Sequence, residues 1–374
     1  MDRVLVQLIV SLCLVGALGC PNRRPVPSEP QWPRDPANAI RKSMNVGGIG
    51  TRIAFTADGR HLLARWEGGS VAEFDLEAAE RYPGDLRGRS LRATGGGFFT
   101  LTPTGRLLFV GNVDDIATRD LPDVAVVAMS PPPNKLSVFG ADLLYDGTPL
   151  ILTDERTPEL HILSTSNSAG PPRDTAFWTI QLSGIRCPRS LSKTTLDASP
   201  IAPLVAIAGT HEVQLWNVAD AQRVARVPAP QLEQVLFSPS GGHLMIVSHN
   251  GVRFHRVPGL EVLFSLDDKY TTLPRCARFS PDGRRLALSV GGHTGAYGSI
   301  VVLEAATGRV LGGVSSHFGG VVDLAFSPDG KYLASSGLDR FVRIWDVQAI
   351  VATQEFKSGT GAERDESSGK PSSK

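Results

Sequence analysis

The stretch VVDLAFSPDGKYLASSGLDRFVRIWDV, residues 321–347, alternates apolar and polar residues at both ends and carries a Pro-Asp-Gly turn inside. Val322, Leu324 and Phe326 recur at period two, so they should line one face of a half-buried strand. Ser327-Pro328-Asp329-Gly330 then supplies turn chemistry, and Tyr332 to Ser335 return as the second strand of a hairpin. Gly337 to Arg340 turn again, and Phe341 to Val347 form a third strand rich in β-forming residues. Three short antiparallel strands cannot bury a face alone. The stretch needs neighbours.

The rest of the chain supplies them. The same pattern returns as FTADGRHLL from Phe55, FTLTPTGRLLF from Phe99, LFSPSGGHLMIV from Leu236 and RFSPDGRRLAL from Arg278. LLYDGTPLILT from Leu143 keeps the turn, and LDASPIAPLVAIAG from Leu196 replaces the glycine with a proline-containing turn. The turn glycines Gly59, Gly105, Gly147, Gly241, Gly283 and Gly330 are separated by 46, 42, 94, 42 and 47 residues, and the 94 divides around Pro203. Seven units of this length have the period of propeller blades rather than of helical solenoids. A third strand follows each hairpin, as in EVQLWNV and GVRFHRV, and a fourth is legible in QRVARVP, EVLFSL and VATQEF. Radial closure of four-stranded units leaves only short edges, so the expected fold is all-β, a seven-bladed β-propeller of four-stranded antiparallel blades over residues 46–357.

The last unit resembles the WD-repeat (Trp-Asp) family of β-propellers. That resemblance implies a structural hydrogen-bonded set inside the blade, and the matching residues are His317, Ser335, Asp339 and Trp345. Other units depart from the pattern: the fourth keeps Trp216-Asn217 but has Thr210 where the family has Asp, and the first has Phe74-Asp75.

Residues 1–19, MDRVLVQLIVSLCLVGALG, have a charged start, an apolar run and small residues before Cys20, the organisation of a secretory signal. The segment Gly16 to Cys20 resembles a bacterial lipobox, with Ala17 and Leu18 where Leu and a small residue are commoner. The resemblance implies a lipoprotein-type signal peptide and an acylated Cys20 as first mature residue. In an ordinary cleaved signal Cys20 would be incidental. Residues 20–45 begin with repeated prolines and read as a tether, and residues 358–374 lack the apolar content to fold. The expected location is therefore the bacterial cell envelope, lipid-anchored and extracytoplasmic, touching the membrane only through that anchor.

A net charge of +1 argues against a field built for nucleic acid. Of four cysteines, only Cys187 and Cys276 lie in the repeats, in different units, so no disulfide framework is implied. His317, Ser335 and Asp339 are the residue types of a nucleophilic triad, but their spacing is that of the blade network and no oxyanion site accompanies them. His249 and His255 have no thiol or carboxylate beside them in the sequence, so no metal site is read there. The glycine-rich GGHTGAYGS, residues 291–299, lacks the lysine and strand-to-helix context of a phosphate loop. LEAATGRVL, residues 303–311, resembles the blade motif of quinone-dependent dehydrogenases, but it occurs once and reads as a plain turn. No cofactor is called for.

These observations favour a non-catalytic protein–protein interaction scaffold, a monomeric ring whose partner proteins the sequence does not name. Family geometry puts one face in the turns between second and third strands and before each first strand. Its candidate contacts are Trp66, Asp114, Arg156, His211, His249, Tyr270, His293, Tyr297, Phe318 and Arg340. The alternative is a periplasmic propeller hydrolase or lactonase with a site in the central channel, where Arg52, Asp197, Gln234, Arg278 and Asp323 are scattered. With 7% aromatic residues, a sugar-binding platform is the weakest reading.

Overall fold

The hairpins form where the turn residues place them. Ser327 Oγ donates to Asp329 Oδ1 at 2.7 Å, and that carboxylate accepts the Lys331 N–H at 3.0 Å. Ser280 with Asp282 and Thr56 with Asp58 repeat the arrangement. Gly59, Gly283 and Gly330 close these turns at φ of 71°, 69° and 69°, a region glycine enters without a Cβ penalty. The computed structural model describes residues 32–33, 39–45, 50–66, 71–76, 89–91, 98–101, 106–110, 116–120, 127–129, 138–154, 158–163, 177–182, 185, 196–249, 251–266, 274–292 and 296–359.

The strands are β1 (Ile40–Asn45), β2 (Gly50–Phe55), β3 (His61–Trp66), β4 (Val71–Asp75), β5 (Arg89–Leu91), β6 (Phe98–Leu101), β7 (Arg106–Val110), β8 (Ile116–Asp120), β9 (Val127–Met129), β10 (Val138–Leu143), β11 (Pro149–Asp154), β12 (Pro158–Leu163), β13 (Phe177–Gln181) and β14 (Leu196–Ala198). They continue as β15 (Leu204–Ala208), β16 (Glu212–Asn217), β17 (Gln222–Pro228), β18 (Leu232–Phe237), β19 (His243–Ser248), β20 (Gly251–Arg256), β21 (Val262–Ser265), β22 (Ala277–Phe279), β23 (Arg285–Gly291), β24 (Tyr297–Glu304), β25 (Val310–Phe318), β26 (Val321–Phe326), β27 (Tyr332–Gly337) and β28 (Phe341–Asp346). Helix α1 (Val347–Gly359) follows.

Among the described residues these strands pair into seven four-stranded antiparallel sheets. Six are sequential meanders, from β2-β3-β4-β5 to β22-β23-β24-β25. The other runs β1-β28-β27-β26, so it joins both ends of the repeat region. Its core is shared with the first sheet: Ala325, Ala334, Val342 and Ile344 pack with Ile53, Phe55, Leu62 and Ala64. A Cβ placed on Gly59 would lie 3.6 Å from Pro328 Cδ, which brings the turn of the last sheet against that of the first. The sheets therefore close on each other, innermost strand beside innermost strand.

Three expectations are corrected here. The closing strand is Ile40–Asn45, with Met44 paired to Val342 and buried, and not the C-terminal VATQEF. VATQEF is helical because Asp346 caps it: Asp346 Oδ1 accepts the N–H groups of Gln348 at 2.9 Å and Ala349 at 3.1 Å. Val347 and Ile350 then bury one side of the helix. The proline-rich segment is not a tether as far as residue 45, since β1 lies within it and Trp32 is 7% exposed. A Cβ on Gly313 would lie 2.6 Å from the Trp32 ring, so the indole seats where a side chain is missing from β25. The Pro33 carbonyl accepts the Ser315 N–H at 3.0 Å, and Thr353 Oγ1 accepts the Gly313 N–H at 3.0 Å. The outer edge of β25 is thereby covered from both chain ends, which protects it from pairing with another strand.

The simple alternation expected in the quoted stretch is broken as well. Register shifts between Val321 and Asp323, so Asp323 and Leu324 are both buried while Val322 is only partly so. A bulge re-aims the side chain beside it.

Candidate functional site

The most elaborate polar cluster lies in the β1-β28-β27-β26 sheet and its junction with β25. The Trp345 Nε1–H donates to Ser335 Oγ at 2.8 Å, and Ser335 Oγ lies 2.7 Å from His317 Nε2. His317 Nδ1 is 2.8 Å from Asp339 Oδ1. Because Ser335 already accepts from Trp345, its own hydrogen is free for Nε2, which leaves the imidazole proton on Nδ1 facing the carboxylate. The four residues predicted from the last unit are thus one hydrogen-bonded chain, and Trp345, Ser335 and His317 are fully buried.

Arg343 completes the cluster and escaped the sequence reading. Its Nη1 pairs with Asp339 Oδ2 at 2.8 Å and its guanidinium lies 5.0 Å from the centre of the Phe341 ring. Burial pushes the His317 imidazole below its ordinary value, against the pull of Asp339. For Asp339 burial acts upward, but the His317 hydrogen bond and the Arg343 pair outweigh it and hold the carboxyl down at about 2. The result is a neutral imidazole between a hydroxyl and a carboxylate. Ser335 accepts from an indole and is sealed from solvent, so no substrate carbonyl can reach it.

Three other sheets hold buried polar bonds made by different side chains. In the β14-β15-β16-β17 sheet, Trp216 Nε1 donates to Gln214 Oε1 at 2.9 Å. In the β10-β11-β12-β13 sheet, buried His161 lies 2.9 Å from Thr153 Oγ1 and 3.0 Å from Thr179 Oγ1. His255 is buried with Nδ1 at 2.8 Å from the Leu260 carbonyl. His249 is 2.5 Å from Glu233 Oε1, a carboxylate brought in from β18. Among the described residues no three His, Cys, Asp or Glu side chains gather as a metal site. Cys276 is a buried free thiol bonded to Ser289, and burial pushes it up to about 12.

Of the residues expected on the recognition face, Arg156, Tyr270, His293 and Asp114 lie outside the described residues, as does the side chain of Trp66. His211 is exposed in the turn from β15 to β16. Tyr297 and Phe318 come together, with ring centres 5.4 Å apart and planes at 75°. Phe318 is 48% exposed. Arg340 is exposed one turn away, at φ 65°. Leu338, 40% exposed and not anticipated, adds to the patch: a Cβ on Gly319, beside Phe318, would lie 3.3 Å from Leu338 Cβ. Its signal was an apolar residue in a turn otherwise made of Gly, Asp and Arg. The backbone beneath the patch is closely packed: a Cβ on Gly292 would meet Gly320 Cα at 2.5 Å.

A ring of four-stranded antiparallel sheets is a β-propeller, and the indole–hydroxyl–imidazole–carboxylate chain lies in a segment that is similar to a WD repeat. Residues 308–346 match the family model described as WD domain, G-beta repeat. The chain is 35% identical over 114 residues to WD repeat-containing protein 1 of Gallus gallus and 36% identical over 114 residues to that of Xenopus tropicalis, in each case 30% of this chain and 18% of the relative. It therefore spans less than a fifth of the length of these eukaryotic relatives. Centriole proteome protein 16 of Chlamydomonas reinhardtii is 42% identical over 77 residues, 20% of this chain and 4% of that protein. Among solved structures, the β-propeller domain of Myceliophteria thermophila Cps50 (Swd1) superposes with a TM-score of 0.60 at 17% identity, over 80% of this chain and 97% of that one.

Proposed function

We propose that the protein is a non-catalytic interaction scaffold, a seven-bladed propeller that presents the Tyr297, Phe318, Leu338 and Arg340 turn cluster to a protein partner. The observation that carries this reading is the exposed aromatic pair on a glycine-packed support. Rigid aromatic contacts with an adjacent arginine are the residue types that dominate protein interfaces. His317, Ser335 and Asp339, the residue types of a nucleophilic triad, are bonded to one another and to Trp345.

The proposal includes an anchor: the lipobox-like segment Gly16 to Cys20 supports a lipidated Cys20 that would hold the scaffold at the bacterial cell envelope.

The test is a crosslinking pull-down from native envelopes with wild type, Cys20→Ser and a Tyr297→Ala/Arg340→Ala double variant. The reading requires a lipid on Cys20 by mass spectrometry and a reproducible partner lost in the double variant. An unmodified Cys20 removes the anchor, and a partner retained by the double variant removes the face.

A further inference from the structure

At four junctions between neighbouring sheets, a side chain on one innermost strand accepts an edge N–H of the next. Asp323 Oδ2 accepts from Ile53 at 3.0 Å, and Gln234 Oε1 accepts from Ala277 at 2.8 Å. Asp142 Oδ2 accepts from Ala198 at 2.8 Å, and Asp197 Oδ2 accepts from Phe237 at 2.6 Å. Arg278 is paired, its Nη2 lying 2.7 Å from Asp323 Oδ1.

Two equivalent positions depart from this series: Cys276, three residues before Phe279, whose thiol is bonded to Ser289, and Arg52. Arg52 sits three residues before Phe55, as Gln234 sits before Phe237 and Asp323 before Phe326. Each of the three follows a register shift in its strand. Its place is therefore that of the clasp between β2 and β6, where the edge position equivalent to Ile53 and Ala277 is Phe99. A guanidinium has donors only and cannot accept an N–H. No hydrogen bond or ion pair to Arg52 is formed among the described residues, although its side chain is partly buried. That burial, and then the charge of Arg278, lowers its pKa, with Asp323, Asp142 and Asp197 acting in the opposite direction. A charged group withdrawn from water without a bonded partner is costly, and an opposing anion removes that cost.

The geometry points to a carboxylate-binding site in the channel between the first two innermost strands, where an external carboxylate takes the place that the side-chain oxygens of Asp323 and Gln234 fill elsewhere. The planar fork of Arg52 suits two parallel bonds to one carboxylate. Three aspartates share its electrostatic surroundings, so a monoanion fits better than a phosphate dianion. A free small acid and the acidic side chain or terminus of a protein segment present the same carboxylate, and the recognising chemistry is common to both. The site goes beyond the scaffold reading and uses none of its face residues.

The test is thermal unfolding of the purified full chain in sodium acetate against sodium chloride at equal ionic strength, with phosphate as comparison. Wild type should gain a saturable rise in Tm in acetate, larger than in phosphate. Arg52→Gln, which supplies an acceptor as Gln234 does, should lose that rise, and Tyr297→Ala should keep it. Arg52→Lys retains the charge without the fork and should need about tenfold more acetate. A peptide ending in glutamate that acts at lower concentration than acetate would assign the carboxylate to a protein segment, and equal potency would assign it to a small acid. The inference is overturned if wild type shows no acetate-specific rise, or if Arg52→Gln shows the same rise. Loss of partner capture in Tyr297→Ala would leave this result untouched, so the two readings fail separately.

Discussion

Trp345 is fully buried and also donates to Ser335, so it holds packing and polarity at one position. Trp345→Ala should destabilise by about 3–5 kcal/mol. Trp345→Phe keeps most of the packing and should cost about 1–3 kcal/mol by leaving the Ser335–His317 chain short of a donor. Chemical denaturation of both variants checks the order, and an unchanged midpoint for Trp345→Ala would refute the burial. Asp339 gives the cluster a pH signature. Its folded pKa of about 2 lies below the ordinary 3.8, so its contribution is complete above 3.8 and is lost as pH falls through about 2. The contribution is at most about 2 kcal/mol. Asp339→Asn should flatten the loss of stability between pH 4 and 2 relative to wild type; parallel curves would contradict this. His317, Ser335, Asp339 and Trp345 were legible through the resemblance of the last unit to the WD-repeat pattern, which implies such a set. Arg343 was not read although its partner Asp339 lies only four residues away, and Asp197 and Asp323 were read as channel residues without their partners, which depend on which sheets meet.

Edges explain the elements at the two chain ends. β28 would be open without β1, and β1 buries Met44 against Val342. Removing residues 1–45 should lower the Tm and promote association through the freed edge, read by calorimetry and size-exclusion chromatography. An unchanged monomer with unchanged Tm would mean that β1 is dispensable. On the other rim, a Cβ at Gly312 would lie 2.1 Å from the Ile350 carbonyl of α1. Gly312→Ala should therefore cost about 1–3 kcal/mol, seen as a lower denaturation midpoint. The hairpins were legible from Ser-Pro-Asp-Gly and its variants. The closing strand was not, since IRKSMN carries only Ile40 and Met44 as apolar signals and its partner lies some 300 residues away. VATQEF has β-forming residues, but the cap from Asp346 and the buried side of α1 outweigh them.

At the scale of the molecule, the repeat period pointed to a propeller because 40–50 residues is the length of four strands and their turns. What the period could not give is which turns carry exposed apolar surface. Phe318, Tyr297 and Leu338 meet only after β24, β25 and β27 are in place, and Phe318 and Leu338 lie 20 residues apart. The scaffold reading rests on that patch, and a photo-crosslinking residue tests it directly. It would be placed at Phe318 and, as a control, at Val224, an exposed residue of β17. After irradiation in native cells, the account predicts one discrete protein adduct from position 318 and none from position 224. The same adduct from both positions, or none from position 318, would contradict it.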